Sequence, residues 1–133
     1  MKIECFEDMA VWRDSRCLAN HIYGATKKRE FARDYGLRDQ MRRAAVSVMS
    51  NIAEGFESRT RAMFVEFLGR SKGSAGELRS QLYLARDQQY LTAKEFQPVY
   101  EIARSCSRQI AGLIKYLESR PNTPRTGRPR PKQ

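Results

Sequence analysis

The chain is poor in the residues that build catalytic and metal sites. It holds one histidine, His21, and three cysteines, Cys5, Cys17 and Cys106, odd in number and far apart, with no CxxC pair. Neither a disulfide framework nor a zinc site is expected from that pattern, and a reducing cytoplasm is the compartment it fits. His21 lies at helical spacing between Cys17 and Ala25 and reads as an ordinary helix residue rather than a general base. No stretch approaches the roughly 18 apolar residues of a membrane span, and Met1-Lys2-Ile3-Glu4-Cys5 lacks the apolar run of a signal peptide. There is no glycine-rich phosphate loop, His/acid metal cluster or nucleophile triad. Glu54 and Glu77 could pair as carboxylates, but nothing else assembles around them. Strand signals and internal repeats are lacking too. The expectation is a cytoplasmic protein that is not an enzyme, with no cofactor, no metal and no membrane partner.

What remains is helix and positive charge. The 133 residues, 41% hydrophobic and 30% charged, suit one helical domain with wide solvated faces. The net charge is +10, and half of it sits in one place: residues 120–133 carry Arg120, Arg125, Arg128, Arg130 and Lys132 with no acid. Pro121, Pro124, Pro129 and Pro131 interrupt that segment, and nothing apolar follows Leu117. Residues 1–119 therefore read as a bundle domain and 120–133 as a disordered Arg/Pro-rich tail. A basic balance of this kind favours polyanions, RNA or DNA above all, although a merely solubilising surface produces the same sum.

Four helical patterns follow one another. In the first, entered after Glu7-Asp8, Val11, Ser15, Leu18, Ile22 and Ala25 recur at steps of four and three, up to the charged run Lys27–Glu30. A connection through Phe31–Gly36 leads to the second, from about Leu37 to Glu54, with Leu37, Met41, Ala44, Val48 and Ile52 as its stripe and Gly55 as its expected C-terminal cap. The third, from about Arg59 to Gln89, sets Phe64, Leu68, Ser71, Ala75, Leu78, Leu82 and Ala85 on the 3.5-residue period of a bundle seam. The fourth opens on the capping box Thr92–Glu95 and repeats the seam with Val99, Ala103, Cys106, Ile110, Leu113 and Leu117. Short links between helices of matched length predict an all-α, antiparallel up-down-up-down four-helix bundle.

Three features exceed what packing needs. In the third pattern, Gly69, Gly73, Gly76 and Ser80 lie roughly opposite the seam, since Gly69 is about 180° and Gly73 about 220° from Leu78. Each interior glycine costs about 1 kcal/mol relative to alanine. The face reads as a site of close approach, a second subunit being the simplest candidate, against tolerated surface glycines or a kink. In the second pattern, Gln40, Arg43, Ser47, Asn51 and Glu54 form a polar stripe, either a solvated flank or a hydrogen-bonded network that Glu77 could join. Basic residues also cluster: residues 27–43 carry a net +4, and Lys72, Arg79 and Arg86 repeat every seven residues, about 10.5 Å apart along one helix edge. That spacing suits successive phosphates, although a solvated flank of the seam has the same period. Arg38, Arg42, Lys72, Arg79 and Arg86 are the candidate nucleic-acid contacts.

One run is more specific than any of these. Gly36-Leu37-x-x-Gln40-x-Arg42-Arg43-Ala44-Ala45-Val46-Ser47, followed by Asn51-Ile52-Ala53-Glu54-Gly55, closely resembles the signature of the four-helix bundle proteins of the 23S ribosomal RNA intervening-sequence family. Phe6-x-x-Met9-x-Val11-Trp12, Gly73-Ser74-x-x-Glu77-Leu78 and Gln89-Tyr90-Leu91 fit the same pattern, so the resemblance covers roughly residues 6–117. Arg29-Glu30-Phe31 and Met49 stand where the family often has proline, and the Arg/Pro tail lies outside the pattern. The resemblance implies a bacterial bundle that assembles as a ring, commonly a homopentamer, encoded within insertions in ribosomal RNA genes. The implied fold is also similar to that of accessory proteins of diversity-generating retroelements, basic pentamers that bind nucleic acid and associate with a reverse transcriptase. Residues and resemblance together predict a homo-oligomer that binds RNA or DNA without strong sequence preference. The alternative is a scaffold whose client is another protein, such as a reverse transcriptase.

Overall fold

Helix boundaries are set by local capping. In the computed structural model, which describes residues 2–120, Asp34 accepts a hydrogen bond from the Leu37 amide at 3.1 Å and starts a helix there, two residues earlier than the apolar stripe indicates. Thr60 does the same for the next helix through the Met63 amide, and Thr92 and Glu95 form the expected reciprocal box at 3.1 and 2.8 Å. The backbone amide of Thr92, then the ammonium of Lys28, hold the Glu95 carboxyl below its ordinary pKa. The elements are a 3-10 turn (Phe6–Asp8), α1 (Ala10–Thr26), a short α2 (Arg29–Arg33), α3 (Tyr35–Glu57), α4 (Arg61–Asp87) and α5 (Ala93–Glu118).

The four long helices close a ring in which α3 packs on α4, α4 on α5, α5 on α1 and α1 on α3. Pairings across α3 and α4 run in opposite senses: Val48 accepts from Ser71 Oγ at 2.7 Å, Ser47 meets Ser74 at 2.8 Å, and Gly55 faces Phe64. This is the antiparallel four-helix bundle. The α4 seam is buried at all seven predicted positions, and Val11, Ser15, Leu18, Ile22, Met41, Ala44, Val48, Ile52, Val99, Ala103, Cys106 and Ile110 join it in the core. Ala25, Leu37, Leu113 and Leu117 pack at its margins. Burial pushes the Cys106 thiol up, so this cysteine is an inert core residue.

Local expectations fail where tertiary contacts intervene. Glu7 and Asp8 do not open α1; they belong to the 3-10 turn, where Asp8 accepts from the amides of Glu4 and Cys5. The connection through Phe31–Gly36 contains α2, because Phe31 is fully buried and stacks on Tyr90, with ring centroids 4.9 Å apart, while the Tyr90 hydroxyl donates to Asp34. Gly55 caps nothing. Helix α3 runs past it to Glu57, and no glycine among the described residues has positive φ. A Cβ on Gly55 would stand 2.8 Å from Phe64 Cδ1 and 2.9 Å from Phe67 Cβ, so glycine is there to let α4 approach. The left-handed residue that ends α4 is Gln89, with φ 65°, and the Tyr90 amide reaches back to the Ala85 carbonyl at 3.0 Å. Since that conformation costs a side-chain-bearing residue about 1–2 kcal/mol, Gln89→Gly raises stability by about 1 kcal/mol in urea denaturation. The Arg/Pro tail lies outside the described residues except for Arg120, which packs on the Tyr116 ring.

Candidate nucleic-acid interface

Burial of its seam fixes the rotation of α4 about its own axis and turns Gly69, Gly73 and Gly76 outward. They do not face empty solvent. With Lys72 and Arg79 of α4, and Ser107, Arg108 and Ala111 of α5, they line an open groove of about 670 Å³ between the two helices. Nothing lies within 4 Å of where a Cβ on Gly69, Gly73 or Gly76 would stand, so the subunit's own packing does not require glycine there. Two sites that the sequence sets apart, a glycine face and a basic row, are here one place. Ser80, exposed on the same side, is not among the lining residues.

Two polar atoms in the groove are buried without a hydrogen-bond partner: Arg79 Nε and Ser107 Oγ. A helical serine that cannot reach a distant acceptor ordinarily bonds the carbonyl one turn back. Ser15 does so at 2.7 Å, and Thr26 likewise, but Ser107 does not. The surrounding charge is also uncompensated. Ion pairs among the described residues include Lys28–Glu95, Arg38–Asp39 and Arg70–Glu66, whereas no carboxylate of the described residues lies within 4 Å of Lys72, Arg79, Arg86 or Arg108.

The five predicted cationic contacts therefore separate into two kinds. Lys72, Arg79 and Arg86 hold their row along α4, with Arg79 half-buried at the groove. Arg38 and Arg42 are spent on the fold. Arg38 pairs with Asp39 at 2.9 Å, donates to the Ala32 carbonyl at 3.0 Å and lies over the Tyr35 ring; Arg42 donates to Thr26 Oγ1 at 2.8 Å and lies over Tyr23. The predicted polar network shrinks in the same way. Ser47, Asn51 and the unforeseen Ser74 are joined across α3 and α4 by hydrogen bonds of 2.8–2.9 Å. Gln40, Arg43 and Glu54 are exposed and outside it, and Glu77 instead accepts from Gln81 at 3.3 Å.

Sequence reasoning missed the α5 wall of the groove. Ser107, Arg108 and Ala111 form it, and Ser107 and Ala111 continue a stripe from Tyr100 and Arg104 at steps of four, three and four, which the stronger Val99–Ile110 seam obscures. It also missed an aromatic cluster one heptad beyond Gly76 and Ser107. Tyr83 contacts Phe96 and Tyr100 with ring centroids 5.3 and 5.2 Å apart, and Phe96 and Tyr100 stack at 5.1 Å. Tyr83 is half exposed, and the neighbouring Tyr100 hydroxyl, then burial, raise its phenol above the ordinary value.

Residues 7–112 match the sequence profile of the 23S rRNA-intervening sequence protein family. The fold is similar to a crystal structure of a protein with unknown function from the S23 ribosomal protein family of Bacteroides thetaiotaomicron VPI-5482, with a TM-score of 0.74 and 21% identity over 79% of this chain and 95% of that one. No curated protein gives a significant match. No helix among the described residues is long and apolar enough to cross a membrane. With a profile match over most of its length and the bundle architecture in place, the chain belongs to the 23S rRNA-intervening sequence protein family.

Proposed function

We propose that this chain is a non-enzymatic, cytoplasmic, homo-oligomeric nucleic-acid-binding protein, a pentamer as its family resemblance implies, whose partner is RNA. The observation that carries the reading is the row Lys72, Arg79 and Arg86, extended across the groove by Arg108 and left without a carboxylate partner among the described residues. Charges that stabilise a fold are ordinarily paired or hydrogen-bonded within it, as Arg38 is to Asp39 and the Ala32 carbonyl and Arg42 is to the Thr26 hydroxyl. Charges held in register on a rigid helix edge, with no internal partner, attract phosphate. Repetition of that edge in an oligomer multiplies the contacts without requiring any one of them to be strong.

Each phosphate neutralised releases a counterion, so affinity falls with salt at a slope of about 0.7 per contact on a single strand and about 0.9 on a DNA duplex, on logarithmic axes. Filter binding of the full-length protein to ribosomal RNA fragments at two salt concentrations is expected to show tight binding at low salt and a steep loss at high salt. No binding at low salt, or binding indifferent to salt, overturns the proposal. Light scattering on the same preparation gives the subunit number.

A further inference from the structure

We infer that the groove between α4 and α5 seats the sugar–phosphate backbone of a single-stranded polynucleotide, with Tyr83 at its end as the stacking surface for a base. This rests on the nucleic-acid reading above and assigns it a strand type and a seat. The floor consists of Gly69, Gly73 and Gly76, which lets an extended chain lie against the helix backbone. The groove's unpartnered polar groups match a phosphodiester: the Arg79 Nε–H and the Ser107 hydroxyl can donate, and phosphate oxygens only accept. Ser107 is 8% exposed, so water compensates it poorly. Lys72 and Arg108 add positive charge on the two sides.

Geometry separates single strands from duplexes. The groove between α4 and α5 holds about 670 Å³, room for a stretch of one backbone, whereas a duplex reaches only its rim. The aromatic cluster continues the same line. Tyr83 follows Gly76 by seven residues, about 10.5 Å along the helix, and Phe96 and Tyr100 brace it from behind while half its surface stays open. A basic groove leading to an exposed ring is the arrangement that holds single strands with little sequence preference. A second copy of this chain is the competing occupant of the glycine face, and the assembly mass of the Gly73→Leu variant decides between the two. An acidic peptide would satisfy the cations but gives Tyr83 no base to stack on.

Fluorescence anisotropy of the full-length protein with a labelled 15-nucleotide oligouridine and a 15-base-pair RNA duplex tests the inference. The single strand is expected to bind about tenfold more tightly than the duplex. Gly73→Leu, which fills the groove, should lower single-strand affinity at least tenfold, with duplex affinity, helix content and scattering mass unchanged. Tyr83→Ala should lower it about 5- to 150-fold, the range for loss of one stacked base, and Tyr83→Phe should restore it. The inference is overturned if strand and duplex bind alike, if Gly73→Leu binds as wild type, if that variant changes the assembly mass, or if polyglutamate displaces the strand at equal charge. In each of those outcomes RNA binding as such still stands. A wild-type protein that binds neither probe at low salt instead overturns the proposed function.

Discussion

Lys72→Glu combined with Arg108→Glu is expected to lower affinity for ribosomal RNA fragments on the order of 100-fold at about 0.1 M salt, and to reduce the salt slope by about 2. Both side chains are exposed on the groove and neither meets a carboxylate, so the fold does not depend on them and the thermal midpoint should stay within about 2 °C of wild type. Arg42→Ala should behave in the opposite sense. Its guanidinium bonds Thr26 Oγ1 and covers the Tyr23 ring, so truncation costs about 1–2 kcal/mol of stability while leaving most of the salt slope in place. Filter binding beside thermal denaturation of both variants separates the two classes of cation. If Arg42→Ala removes as much binding as the double reversal, the interface lies on α3 and not along α4.

Two glycines on neighbouring helices should respond to the same substitution with opposite signs. Gly55→Ala is expected to destabilise the bundle by about 1–3 kcal/mol, because the added methyl meets Phe64 and Phe67 at 2.8–2.9 Å on a buried helix contact. Gly73→Ala is expected to stabilise it by about 1 kcal/mol, because alanine is the better helix former and its methyl meets nothing. Urea denaturation of both variants decides the matter. A destabilising Gly73→Ala would mean that the groove is filled within the folded assembly. A neutral or stabilising Gly55→Ala would mean that α3 and α4 can separate without cost at that level.

Much of the bundle was readable before any coordinates. A seam repeating at four and three residues, such as Phe64 to Ala85, has to be buried somewhere, and four such seams joined by short links leave few arrangements. Thr92 with Glu95 caps its helix through contacts three residues apart, which a linear sequence displays directly. Gly55 shows the limit of local reasoning. Its position after an apolar stripe looks like a helix stop, but the reason for glycine is the ring of Phe64 on another helix. Arg38 and Arg42 show the same limit for charge, since the sequence displays cations but not the Ala32 carbonyl and Thr26 hydroxyl that occupy them.

The amino-acid order by itself determined the helices, their buried faces, the concentration of positive charge and the family signature, because each is carried by residues within about two turns of one another. Only the folded bundle decided which cations remain unpaired and where the glycines lead. A groove belongs to two helices at once, and Ser107 and Tyr100 become partners of Gly76 and Tyr83 only when α5 lies down beside α4.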